Sequence, residues 1–360
     1  MEIGIDYFSR LAWNPESPKM GAQPEFLRKF AAGITGEPYA DKAADLLAEF
    51  YRLGTIRKPE LMQRAWALSL PEERVRQLRR DYENLLKNEE KLAALVPPAS
   101  QDAYFEVIGF PVRVLGGAGL IFMADRAVQF GDASKEEEIK NFRSYLEKQV
   151  EQFNRGTAKG KWNQMMPGLE TAKDLARWNS QVRWPWGEKA GKVPPQAPPQ
   201  SNGVWRDAAS SDRQSSSGEA GWMTVPGLGP TGRAVALKPA SVKSVWKDMD
   251  KSAPTLEFIF ETNGGDGEAL IDFLPTFRLF PGMKLRVAVT LDSQPPVLVE
   301  VPGSNGLEDE NGASRHEGIQ NNYVRARLPL PKLLPGQHVL KISAVDPGVV
   351  IDQVSLPAKR

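Results

Sequence analysis

A chain of 360 residues, of which 25% are charged at a formal net charge of +1, has no global field to draw nucleic acid or an anionic membrane, so neither is expected as a partner. It has no cysteine and only two histidines, His316 and His338, which excludes disulfides, thiolate metal sites and cysteine nucleophiles and argues against a histidine metal cluster or a Ser-His-Asp mechanism. The length exceeds the roughly 250–300 residues at which one core stops growing, and no apolar run approaches the roughly 18–20 residues of a membrane span, so two domains without a spanning segment are expected.

The opening MEIGIDYFSRLAWNP lacks the basic, apolar and small-residue stretches of a signal peptide. Ile3, Tyr7 and Leu11 lie four apart and predict a helix, with Glu2 and Asp6 on one face either as an acid and base or as a solvated surface. Ala43, Leu46, Leu47, Phe50 and Tyr51 follow the 3.6-residue period. So do Val75, Leu78, Tyr82, Leu85 and Leu86 after Pro71. From Asp102 to Phe130 the chain is apolar all round, which predicts a central helix that Pro111 ends or kinks near Phe110. Gly116, Gly117 and Gly119 within it lack the strand and Gly-Lys-Ser/Thr of a phosphate loop and read as close helix packing. A further helix begins at Ser134, where Ser134 and Glu137 fit a capping box, and buries Ile139, Phe142, Leu146, Val150 and Phe153.

The composition then changes. GEKAGKVPPQAPPQSNG, between Gly187 and Gly203, cannot continue a helix and reads as a linker or surface strap. The boundaries expected are 1–187 for a helical domain, 188–203 for the Pro-rich linker and 204–360 for a β domain. Ser210 to Gly221 reads as a mobile loop. Beyond it the period is two: Leu285, Val287, Val289 and Leu291 alternate with Arg286, Ala288 and Thr290, as Leu340, Ile342 and Ala344 do with Lys341 and Ser343. Turn clusters separate these runs, and the spacing predicts an antiparallel β-sandwich. The fold class is therefore α+β, an N-terminal α-helical bundle followed by a C-terminal antiparallel β-sandwich, with no (β/α)8 barrel.

Five of the nine tryptophans, Trp162, Trp178, Trp184, Trp186 and Trp205, fall near the domain junction. Aromatic faces stack on sugar rings, and the same rings bury a junction efficiently; the sequence leaves both readings open. KGKWNQMM and RWPW place Trp162, Asn163, Trp184 and Trp186 as candidate carbohydrate-binding residues, Asn163 by hydrogen-bonding a hydroxyl. Linear spacing does not reveal the flanking carboxylate pair that glycoside cleavage needs, and Glu308-Asp309-Glu310 reads as a solvated turn.

In order along the chain, YFSRLAWNP, RKPEL, DAYFEVIGFPV, GKWNQMM, WMTVPGLGPTGRAV, APTLEFIF, LRVAVTLD and GQHVLKISAVDPGVVIDQV resemble the helical and closing β domains of family 115 glycoside hydrolases, the xylan α-1,2-glucuronidases. The resemblance implies descent from enzymes that remove glucuronic or 4-O-methyl-glucuronic acid from xylan without a cofactor. It also implies that the essential carboxylates belong to a catalytic barrel upstream of Glu2, so no residue here is assigned a catalytic role. A family histidine and tyrosine that border the pocket have no counterpart where this chain carries Pro167-Gly168-Leu169-Glu170. The expectation is a C-terminal accessory region, silent alone, with the barrel supplied in cis or in trans. Xylan or glucuronoxylan oligosaccharides are the implied partners, a secreted or periplasmic parent the implied location. A carbohydrate-binding or homodimerising module without catalysis is the alternative.

Overall fold

The computed structural model describes residues 2–14, 23–57, 61–62, 64–70, 72–166, 203–218, 220–239, 253–278, 282–304, 318–319 and 321–357. The chain divides into two compact units, Met1–Gly54 with Lys58–Gln200, and Thr55–Arg57 with Ser201–Arg360. Apart from Gly203 the expected linker lies outside the described residues, as does Glu308-Asp309-Glu310.

The first unit is helical: α1 (Glu2–Trp13), α2 (Gln23–Thr35), α3 (Ala40–Ile56), α4 (Arg64–Ser69), α5 (Glu72–Ala93), α6 (Gln101–Tyr104), α7 (Phe110–Gln129) and α8 (Glu136–Glu151). The 3.6-residue stripes face inward as expected, with Leu78, Tyr82 and Leu85 on α5 fully buried, except that Tyr51 at the edge of the α3 stripe is exposed. On α1, Asp6 is engaged by Arg10 at 2.8 Å on an exposed face, the solvated reading of that carboxylate.

At Pro111 the central helix does not end, one of the two outcomes expected there. The π-helical turn Phe105–Gly109 joins α6 to α7, and helical geometry continues to Gln129. Proline lacks an N–H and its ring crowds the carbonyl four residues back; the wider π turn just before Pro111 is where the altered hydrogen-bonding register is taken up. The helix Pro98–Gln129 is also long and apolar enough to cross a membrane, against the expectation that no run approaches that length, but 78% of its apolar stretch is buried inside the protein, as for the core helix of a bundle. Its glycines are contact points. A Cβ at Gly116 would lie 2.7 Å from Leu86, at Gly117 2.8 Å from Leu146, and at Gly119 2.5 Å from the Tyr82 ring. The cap of α8 also differs: Asp132, not Ser134, caps the short turn Ala133–Lys135 that leads into the helix, its side chain accepting from the Ser134 N–H at 3.2 Å.

The second unit is the antiparallel sandwich. Its strands are β1 (Gly203–Asp207), β2 (Arg213–Ser215), β3 (Gly221–Pro226), β4 (Arg233–Lys238), β5 (Thr255–Thr262), β6 (Gly265–Phe273), β7 (Arg286–Leu291), β8 (Val297–Glu300), β9 (Val324–Leu333), β10 (Gly336–Ala344) and β11 (Val350–Pro357). One sheet runs β3-β4-β11-β6-β9 with β1 also on β11, the other β2-β5-β10-β7-β8. The stretch expected as a mobile loop is ordered in part. β2 pairs with β5, and Asp212 accepts from Arg206 at 2.7 Å and from the Ile259 N–H at 2.6 Å, so backbone groups that a free loop would leave to water are tied to the sheet. The inward-facing Leu285, Val287, Val289 and Leu291 meet Leu340, Ile342 and Ala344 in one core with Phe258, Ile271 and Phe273. Among the described residues there is no (β/α)8 barrel.

Candidate functional site

Sequence reasoning points to Trp162 and its neighbours. Trp162 follows the second π-helical turn, Gln152–Gly156, and is half-buried against a cluster of Phe105, Phe110 and Phe153. Its indole N–H donates to Glu106, and the Lys161 ammonium lies 4.4 Å from the ring centroid. Asn163 is exposed, with its backbone N–H donating to the Gly160 carbonyl at 3.1 Å. Trp184 and Trp186 lie outside the described residues.

The turn that carries Trp162 is strained. Ala158 (φ 47), Lys159 (φ 55) and Gly160 (φ 78) take left-handed backbone one after another, as Gln164 (φ 69) does beyond them. Each non-glycine residue in that region costs on the order of 1–3 kcal/mol, so the surroundings must hold it. Asp102 accepts the Ala158 N–H at 3.0 Å, the Thr157 hydroxyl donates to the Gln152 carbonyl at 2.9 Å, and the Asn154 amide clips both backbone groups of Met166.

Beside this turn opens a cleft of about 360 Å³. Gln101, Phe105 and Arg113 line one wall, and Lys148, Gln149 and Gln152 the other. The helical period explains the second wall, since residues 148, 149 and 152 share one face of α8 and its continuation. The π turn lies between Phe105 and Arg113 on the first wall.

Arg113 is the best-positioned group. Its Nε donates to Glu89 at 2.8 Å and its Nη1 to Gln149 at 2.8 Å, while Glu89, buried at 2%, also accepts from the Tyr104 hydroxyl at 3.1 Å. Burial works to lower the Arg113 pKa, but the bond and charge of Glu89 outweigh it and hold the guanidinium firmly charged. Burial, reinforced by Glu89, pushes the Tyr104 hydroxyl up, so it stays protonated. Arg113 had a signal in the sequence: it is the one charge between Glu106 and Asp125 in an apolar run, and an isolated buried cation needs a partner. Lys148 and Gln152 had none, because polar residues at helical spacing look like any solvated face.

The chemistry open to the cleft is limited. Asp102 is its one lining carboxylate, Glu89 behind it is committed to Arg113 and Tyr104, and no group of three metal-ligating residues occurs among the described residues. Glycoside hydrolysis by the usual route needs two carboxyl groups flanking one bond, so these residues suit binding rather than cleavage.

Residues 200–359, which contain the whole sandwich, match the model of the Glycosyl hydrolase family 115 C-terminal domain. Over these residues the chain is similar to a family 115 C-terminal domain. Its match leaves the helical unit out, but the fold of both units is found in a family GH115 4-O-methyl-α-glucuronidase, BtGH115A, with specificity for decorated arabinogalactans. That protein is 23% identical, with a TM-score of 0.74 over 99% of this chain and 44% of its own. The chain thus spans less than half the length of that structure. A family 35 carbohydrate binding module from Clostridium thermocellum is 11% identical with a TM-score of 0.30, covering 43% of this chain and 98% of its own. An exo-β-1,3-galactanase from Phanerochaete chrysosporium is 17% identical with a TM-score of 0.28, covering 43% of this chain and 29% of its own. No curated protein matches the chain.

Proposed function

We propose that this chain is the C-terminal accessory region of a xylan α-1,2-glucuronidase, which releases glucuronic or 4-O-methyl-glucuronic acid side groups from xylan. Its helical bundle and family 115 domain work beside a catalytic barrel supplied in cis or in trans, and alone they are silent. The observation that carries this reading is the match of residues 200–359 to the family 115 C-terminal domain. The lone carboxylate of the cleft agrees with silence. So does the surface of α1, where Ile5 (59% exposed), Phe8 (72%) and Trp13 (92%) leave an apolar face of the kind a second folded domain covers. The barrel is that domain.

Two measurements test this. The 360-residue chain is incubated with glucuronoxylan and the products are resolved by anion-exchange chromatography; release of either acid would sink the claim of silence. The chain is then mixed with a separately produced family 115 barrel. Restored release, abolished by Phe8→Asp with Trp13→Asp, is the expected outcome, and unchanged release by that variant overturns the α1 contact. A second reading, a carbohydrate-binding or homodimerising module without catalysis, draws on the cleft and on the same α1 face. It predicts a dimer by light scattering that the α1 double substitution dissociates.

A further inference from the structure

We propose that the cleft between the Gln101–Arg113 stretch and the Lys148–Gln152 stretch binds one neutral, polyhydroxylated unit, a pyranose of a glycan chain, through Arg113 Nη2, the Lys148 ammonium, the Gln152 amide and Asp102 Oδ1. The observation behind it is a set of unspent hydrogen-bonding groups around one concavity. Arg113 has two of its three nitrogens committed, to Glu89 and Gln149, which leaves Nη2. Asp102 uses Oδ2 on the Ala158 N–H and keeps Oδ1. Among the described residues, neither the Lys148 ammonium nor the Gln152 amide has a partner, and both side chains belong to the lining.

Three of these groups are held rather than loose. Arg113 is pinned at two nitrogens, and Asp102 is tied to the strained turn at 158–160. Gln152 packs its amide over Gly156, where an added Cβ would stand 2.4 Å from its Oε1. A site whose polar groups are fixed before the ligand arrives loses less on binding. Strained backbone and π-helical turns, both present here, cluster at functional sites.

The charges decide the ligand class. Arg113 is matched by Glu89, and Lys148 faces a cleft that also holds Asp102, so the four charges cancel. An anionic ligand would meet the Asp102 carboxylate, and a cation would meet Arg113 and Lys148. A vicinal diol suits the mixture, because each hydroxyl both donates and accepts: it donates to Asp102 Oδ1 or the Gln152 carbonyl oxygen and accepts from Arg113, Lys148 or the Gln152 N–H. The volume of about 360 Å³ sits at the small end of ligand sites, which favours a single sugar ring over a longer occupant.

This proposal stands on the cleft alone and not on the glucuronidase reading. The full chain is titrated with xylotriose, galactobiose, glucuronic acid and acetate at up to about 20 mM, followed by saturation-transfer NMR and by tryptophan fluorescence, to which Trp162 contributes from an aromatic cluster that shares Phe105 with the cleft. At least one neutral sugar should bind. Lys148→Ala with Gln152→Ala should weaken it about 10-fold or more, as expected for two lost hydrogen bonds, without moving the melting temperature. Gly156→Ala, which displaces the Gln152 amide, should also weaken it. Binding of glucuronic acid or acetate alone, equal binding by the double variant, or no neutral sugar bound at all each overturns the proposal. Failure here leaves the hydrolysis assays untouched, so the two readings fall separately.

Discussion

Tyr82 is buried completely, its ring lies against Gly119, and its hydroxyl has no hydrogen-bond partner among the described residues. Burial also pushes its ionisation up, so the group contributes a neutral, unsatisfied dipole to an apolar core. Tyr82→Phe is therefore expected to leave stability unchanged or raise it by about 1 kcal/mol, measured by urea denaturation; a loss above that would mean that the hydroxyl is satisfied in solution. His338 is the opposite case. Its Nδ1 meets Asp292 Oδ2 and its Nε2 the Leu334 carbonyl, each at 2.8 Å, while Asp292 Oδ1 accepts the Val339 N–H. The bond to Asp292, then that to Leu334, raises the His338 pKa. For Asp292, burial pulls upward, but the bonds from His338 and Val339 prevail and lower it. The histidine's contribution is complete below its ordinary pKa near about 6.5 and is lost as pH rises through the raised value, whereas the aspartate's is present above about 3.9 and lost as pH falls through the lowered one. His338→Gln should thus cost most in melting temperature near about pH 5–6 and least near about pH 9. A pH-independent difference would discount the charge.

At the scale of elements, the contact between α5 and α7 is set by missing side chains. A methyl at Gly119 would stand 2.5 Å from the Tyr82 ring, a rigid group with nowhere to go, so Gly119→Ala should destabilise the bundle by about 1–3 kcal/mol; a change under about 0.5 kcal/mol would show that the helices slide apart freely. The helical stripes and their inward faces were legible in the sequence because burial imposes a 3.6-residue period on residues such as Val75, Leu78 and Tyr82. The π turn before Pro111 was not, since proline is a local signal for a break, and the wider turn that precedes it leaves no mark in the hydrophobic pattern. The cleft was half legible. Arg113 stands out in an apolar run and Asp102 falls in a recognisable motif, but the walls come from segments about 40 residues apart, and Lys148 and Gln152 acquire meaning only when α8 lies beside α7.

Over the whole molecule, the change of hydrophobic period from 3.6 to two announces two architectures, and the alternation in β7 and β10 fixes which faces close the sandwich. It does not fix strand order. Val350–Pro357 pairs with β4 and β1 along one edge and with β6 along the other, so one strand joins three others. Deleting residues 350–360 should abolish the cooperative unfolding of the sandwich while the bundle keeps its helical circular dichroism; a cooperative transition surviving the deletion would contradict that central position. The order of strands also sets a schedule. Every pairing that β11 makes is with a strand made earlier, the nearest of them ending at Phe273, so a ribosome adding about 5–20 residues each second must finish Val350–Pro357 before its sheet can join. Until then the edges of β4 and β6 that β11 will cover stand open, rows of unpaired backbone groups of the kind another strand can join.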